Sequence, residues 1–465
     1  MPARKNVEKV MIIGLDCADP TLMFQRFWND LPNLRSLAER GSYGVMTSTM
    51  PPITVPAWSC MASSKDPGQL GIYGMHNRAD WSYGKMIIPT SLGVREPRLW
   101  DILSEHGRKS FVFGVPQTYP PRPLNGEMIS CWFAPSLESD YTYPVSLKRE
   151  IAEQFGEYLP DVRPYRTDKK DWLIAQTHRM TDQRFEMIHH FAASRDWNLF
   201  WSVDMGPDRL HHGLWQYMDE NHHRYVPGNP YEHAIRDYYR FVDERLGRLL
   251  ATLDLDRIAV WVVSDHGAKG MKGGVCFNEW LIREGYLMLK DDLKGPTRFA
   301  DVNIDWSRTK AWGEGGYYAR CFFNVQGREP QGQLRPVDLD DFTRELAGKL
   351  ETMVDHEGKL MGTKVFQPKD IYRTVRGFPP DLIVLFGNLS WRSVGMVGTG
   401  TLYTFENDTG PDDANHNIEG MFICAHPGCA AGKTAISIYD VAPTVLTQLG
   451  LQPPADMIGR NVLPD

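Results

Sequence analysis

VMIIGLD, residues 10–16, is an uninterrupted apolar run that stops at a carboxylate. Such a run suits a strand buried on both faces, because a half-solvated strand would alternate apolar and polar residues. SFVFGVP (110–116), NLFWSVD (198–204), IAVWVVSD (258–265) and LIVLFG (382–387) read as further strands. LPNLRSLAERG (31–41) reads as a helix closed by Gly41, and YEHAIRDYYRFVDERLGRLLATL (231–253) as an amphipathic one. IYDVAPTVLTQLG (438–450) reads as another helix, ending at Gly450. Buried strands alternating with helices specify an α/β fold, with a mostly parallel central sheet covered by helices on both faces. Ligands of such sheets collect beyond the carboxyl ends of the strands. Asp16 and Asp265 therefore arrive at one functional edge.

Composition narrows the class. The 465 residues are 42% apolar and 23% charged, ordinary values for a globular protein, and the length allows several domains or one core with insertions. A net charge of −7 gives no electrostatic footprint for a nucleic-acid polymer. No stretch approaches the roughly 18 apolar residues of a membrane span, and the first apolar run is too short for a signal-peptide core. Seven cysteines (17, 60, 131, 276, 321, 424 and 429), odd in number and without CxxC spacing, point to a reduced, cytoplasmic protein. Residues 78–197, rich in Pro, Tyr, Trp and charge, read as partly a cap, and 270–410 as a second irregular region.

The chemistry-bearing residues are individually ordinary. In MPPITVPAWSC (50–60), Thr54 is either a plain helix N-cap or a hydroxyl presented where helix N–H groups can receive an anion. Asp208 and His212, in DMGPDRLHHGLW, are four apart and share one face of a helical turn; His211 and His212 in a polar loop have a solvated reading as well. Asp265 and His266 end IAVWVVSDHG, and His416 sits in DDANHNIEG. Together they put three carboxylates and three imidazoles at one edge of one sheet. That donor set suits two divalent cations sharing a phosphate, with no thiolate required.

The order Asp16, Thr54, Asp208-x-x-x-His212, Asp265-His266, His416 resembles the alkaline phosphatase superfamily. It looks most like the type I phosphodiesterase/nucleotide pyrophosphatase branch and its bacterial phosphohydrolase or phosphomutase relatives. GVPQTYPPRPLNGEMIS, FNEWLIREGYL, FFNVQGREPQG and YDVAPTVLTQLGL extend the resemblance along the chain. It implies one alkaline-phosphatase-like catalytic domain over 1–465. It further implies one metal held by Asp208, His212 and His416, and a second held by Asp16, Asp265 and His266. Thr54 would complete the second site and act as nucleophile. Zinc is usual in the branch, manganese in the mutases. The implied substrate is a small-molecule phosphoester, with self-association left open. Sulfatases need Cys or Ser followed by x-Pro-x-Arg, whereas VPAW follows Thr54. Threonine in place of serine favours the diesterase branch, which places an asparagine about twenty residues on; Asn77 is the candidate, with Trp58 and Arg78 as further substrate contacts. The nearest basic residue after Thr54 is Lys65, while Trp81, Tyr83, Trp100, Tyr119, Trp132, Tyr141 and Tyr143 offer surfaces for an organic arm. Phosphomonoesterases, phosphomutases and C–P hydrolases share the same ligands. A non-catalytic scaffold would lack some of them.

Overall fold

The computed structural model describes residues 7–426 and 432–463; Cys429 lies outside them. Cys17, Cys60, Cys131, Cys276 and Cys321 are buried free thiols, and Cys424 is buried. The central sheet is built from β1 (Lys9–Leu15), β2 (Gly41–Thr47), β3 (Ser110–Phe113), β4 (Gly126–Ile129) and β5 (Thr142–Tyr143). It continues with β6 (Leu199–Asp204), β7 (Ile258–Val263), β8 (Glu419–Ala425) and β9 (Gly432–Ser437). Among the described residues its order is β9-β2-β8-β7-β1-β6-β3-β4-β5. β1 pairs in parallel with both β6 and β7, β3 with β6 and β4, and β2 with β9. β8 runs antiparallel between β2 and β7, and β5 is an antiparallel edge. β1, β6 and β7 are almost wholly buried, as uninterrupted apolar runs require.

Helices α1 (Pro32–Glu39), α2 (Thr54–Ser63), α3 (Lys170–Ser194), α4 (Gly206–Met218), α5 (Ala234–Leu250) and α6 (Val441–Gln448) pack around this sheet in one large core. The last of them closes before Gly450 in the left-handed conformation (φ 76°). Gly41 does not cap α1. It opens β2, where a Cβ would sit 2.0 Å from the Cys424 carbonyl oxygen of β8. Close strand approach, rather than helix termination, explains that glycine.

LIVLFG forms a strand, Leu382–Leu385, but outside the central sheet. It joins a separate four-stranded sheet with Ala311–Glu314, Ala319–Phe323 and Lys364–Phe366, all antiparallel. Burial on both faces makes an apolar run here as it does in the central sheet, so composition alone did not separate them. This sheet has its own core around Trp312, Phe322, Leu346 and Trp391. Residues 78–197 supply β3, β4 and β5 to the central sheet as well as irregular segments. No helix is long and apolar enough to cross a membrane among the described residues.

Candidate active site

Parallel pairing brings the carboxyl ends of β1, β6 and β7 to one edge. Asp16 follows β1, and the Cys17 N–H beside it donates to Asp265 Oδ1 at 3.1 Å, tying the ends of β1 and β7 together. Cys17 takes a left-handed φ of 64° to do so. β6 leads into α4, which carries Asp208 in its first turn and His212 one turn later. Both His211 and His212 are buried in this helix, not solvated in a loop. His416 arrives from about 150 residues away on a two-stranded ladder: Gly267–Gly270 pairs with Ala414–Asn417, placing Ala268 opposite His416. Thr54 is the first residue of α2, and Ile53 rather than Thr54 is its N-cap.

These placements make two ligand clusters. In one, ligand atoms of Asp208, His212 and His416 lie within 4.8 Å of one another, and in the other those of Asp16, Asp265 and His266 do. His212 Nε2 stands 3.2 Å from Asp208 Oδ1 and 3.3 Å from His416 Nε2. His266 Nε2 stands 3.1 Å from Asp265 Oδ2 and 3.2 Å from Thr54 Oγ1. The His266 and His416 rings stack at 3.7 Å, so the clusters adjoin.

The other ring nitrogens are held from behind. His212 Nδ1 meets Asp412 Oδ1 at 2.7 Å, His416 Nδ1 the Pro52 carbonyl at 2.8 Å, and His266 Nδ1 the Gly267 carbonyl at 3.1 Å. Each imidazole thereby turns Nε2 into its cluster, as ligating histidines do. Asp16 Oδ1 and Asp265 Oδ2 are buried with no hydrogen-bond partner among the described residues. Buried carboxylate oxygens are costly to leave unpaired, and this donor set fits divalent cations.

The charges are strongly coupled. Burial, then Asp265 and Asp208, push the Asp16 carboxyl well above its ordinary range. Burial opposes ionisation at Asp208, yet His212 and Arg209 outweigh it and hold that carboxyl well below. His212 is desolvated too, but Asp412 and Asp208 carry it up to about 10. Burial and the neighbouring His266 and His212 drive His416 down.

Thr54, Asp208 and His416 open onto a cleft of about 740 Å³ whose lining includes Trp132, Phe133, Tyr165, Tyr317 and Tyr318. Five arginines line it: Arg163, Arg166, Arg209, Arg320 and Arg392. The distance in sequence from Thr54 to the next basic residue was therefore a poor guide to the charge around it. Arg209 follows Asp208 directly and bonds both it and Asp161. Asp412, Arg209 and Tyr317 went unread in the sequence. Nothing local in the sequence marks Asp412, whose partner His212 lies 200 residues away.

The three expected substrate contacts lie elsewhere. Trp58 is fully buried beneath the site, its Nε1–H donating to Asp16 Oδ2 at 2.7 Å. Asn77 Oδ1 accepts the Tyr73 N–H at 2.9 Å. Arg78 is paired with Glu329 at 3.1 Å inside the second core. Of the expected aromatic surface, Trp132 lines the cleft, Trp100 packs on Trp201 in the main core, and Tyr83 stacks on Trp306.

An α/β sheet carrying two adjoining Asp/His clusters at its carboxyl edge defines a protein of the alkaline phosphatase superfamily. The profile of the type I phosphodiesterase / nucleotide pyrophosphatase family matches residues 10–412, and the chain belongs to that family. It is a hydrolase acting on phosphoester bonds. No curated protein matches the sequence significantly. Among solved structures, phosphonoacetate hydrolase from Sinorhizobium meliloti 1021, in complex with phosphonoformate, superposes with a TM-score of 0.62 at 14% identity, covering 96% of each chain. Human ectonucleotide pyrophosphatase/phosphodiesterase 5 gives 0.53 at 13% identity over 98% of each chain. An inactive form of the murine protein in complex with AMP gives 0.53 at 13% identity over 96% of each. At these identities the likeness is one of fold.

Proposed function

We propose that the chain hydrolyses a phosphodiester or nucleotide-type diphosphate through a phosphothreonine on Thr54, with two divalent ions, zinc by preference. The observation that carries this reading is the Thr54 hydroxyl, set at the start of α2, 3.2 Å from His266 and open to the cleft. Asp208, His212 and His416 would hold one ion; Asp16, Asp265 and His266, with Thr54, the other. Bound there, such ions lower the pKa of a hydroxyl and neutralise phosphoryl oxygens. Thr54 Oγ1 attacks phosphorus, the P–O bond to the leaving group breaks, and water later cleaves the Thr54–phosphate bond. The first N–H groups of α2 have no intrahelical acceptors and face an arriving phosphate. Asp412, Pro52 and Gly267 keep the three imidazoles oriented throughout. The parts of 78–197 and 270–410 that wall the cleft act as its cap and receive the organic arm.

Thr54→Ala should remain folded, bind metal, and lose on the order of 10³-fold or more in rate, while Thr54→Ser stays substantially active. Full activity in folded Thr54→Ala protein would refute the nucleophile. Comparing kcat/KM for bis-p-nitrophenyl phosphate and for p-nitrophenyl phosphate tests the substrate class. A tenfold or greater monoester preference would replace the diesterase reading with a phosphatase one.

A further inference from the structure

Four of the cleft's arginines have carboxylate partners. Arg163 and Arg209 pair with Asp161, Arg166 with Asp412, and Arg392 with Asp408. Arg320 differs. Only 6% exposed, it projects from the strand Ala319–Phe323 into the cleft wall and donates through Nη1 to the His76 carbonyl. Among the described residues no carboxylate reaches ion-pair distance of it. Glu314, directly across the ladder from it, lines the same cleft without closing that gap. Burial raises the Glu314 carboxyl, with Arg320 the opposing influence.

A buried guanidinium without a matched anion is expensive, and guanidinium geometry matches a carboxylate or phosphate in a bidentate fork. We propose that Arg320 is a specificity-determining residue that binds an anionic group on the organic arm of the substrate. The proposal rests on the phosphoester reading of the site. Its partner is a carboxylate or a phosphate carried by that arm, which distinguishes such a substrate from a simple alkyl or aryl diester.

The test is calorimetric binding of three phosphate monoesters to the metal-loaded enzyme: ethyl phosphate, 2-carboxyethyl phosphate and ethylene glycol bisphosphate. At least one of the two bearing an anionic arm should bind about tenfold to hundredfold tighter than ethyl phosphate, the range expected for one charge-assisted bond. Which of them gains more tells carboxylate from phosphate. Arg320→Gln should erase that ratio and leave ethyl phosphate binding within about threefold. Arg320→Lys, which keeps the charge, should retain part of it, and Glu314→Gln should preserve or widen it. The wild-type ratio needs no variant to fold. Equal binding of all three esters, or a ratio untouched in folded Arg320→Gln, overturns this inference alone. Failure of all three monoesters to bind likewise overturns this inference, and failure of the same enzyme to hydrolyse bis-p-nitrophenyl phosphate as well overturns the phosphoester reading with it.

Discussion

Asp412 acts through His212. Its buried carboxylate lies 2.7 Å from His212 Nδ1, and it also accepts from Arg166 Nε at 2.8 Å. That pairing fixes the ring so that Nε2 faces Asp208, and the negative charge raises the basicity of the imidazole. Asp412→Asn preserves shape and a hydrogen-bond acceptor while removing the charge. We expect a roughly 10–100-fold weaker metal affinity, recovered in part by excess metal, with little change in KM for substrate. A metal titration of activity that superimposes on wild type would refute the role. Five of the six proposed ligand positions were legible because they sit at a strand end or in the helix that follows it, whereas His416 lies within a ladder strand and its ligand role came only with the family resemblance. Asp412 could not be singled out, since its pairing depends on a ladder joining residues 267–270 to 414–417. Trp58 misled for the opposite reason: its closeness to Thr54 in sequence says nothing of which face of α2 it occupies, and that face packs on the sheet.

At the scale of elements, β1 and α2 are fitted to each other at one glycine. A Cβ on Gly14 would stand 2.5 Å from Trp58 Cη2 and 2.8 Å from Val203 Cγ2. The strand therefore carries glycine where the Trp58 indole crosses it on the way to Asp16. Gly14→Ala should cost about 1–3 kcal/mol by overpacking, and should depress activity because the displaced indole no longer holds Asp16. Thermal unfolding and kcat together check this. Gly14→Ala combined with Trp58→Phe should be less destabilised than the sum of the single changes, because the smaller ring relieves the clash. Additive losses would mean the two side chains do not share the space. Apolar runs sufficed to locate β1, β3, β6 and β7, but Leu382–Leu385 has the same signature in a different sheet. Strand pairing is a long-range choice, and a short apolar run carries no record of its partner.

At the scale of the whole molecule, the cleft forms where segments from both halves of the chain converge, including Trp132, Arg166, Tyr317 and Arg392. These segments are far apart in sequence, which is why, Trp132 apart, the cleft wall was not legible. The same convergence buries charge at a junction behind the site. The Asp413 N–H donates to the His212 carbonyl of α4 at 2.8 Å, and its own carbonyl accepts the Met271 N–H at 3.0 Å. Asp413 is only 2% exposed; among the described residues its Oδ2 has no hydrogen-bond partner, and Lys170 Nζ at the start of α3 is likewise buried without an acceptor. Burial, opposed by Lys170 and aided by Asp412, moves Asp413 up to about 7. Burial moves Lys170 down, so both groups drift towards their neutral forms. The sign of the consequence follows from proton counts. Between about pH 4 and 7 the folded protein keeps the Asp413 proton while the unfolded chain has released it, so stability falls as pH rises through that window. An upward displacement of that size corresponds to roughly 4 kcal/mol at and above neutral pH. Asp413→Asn keeps the size and the backbone contacts and cannot ionise. Its Tm should exceed that of wild type at pH 8, and the difference should shrink towards zero near pH 4–5, where wild-type Asp413 is itself neutral. Measured by thermal unfolding at matched ionic strength, a Tm difference constant across that range would show that Asp413 ionises normally. A Tm difference that grew towards acid would reverse the sign and place the carboxylate in an ion pair instead.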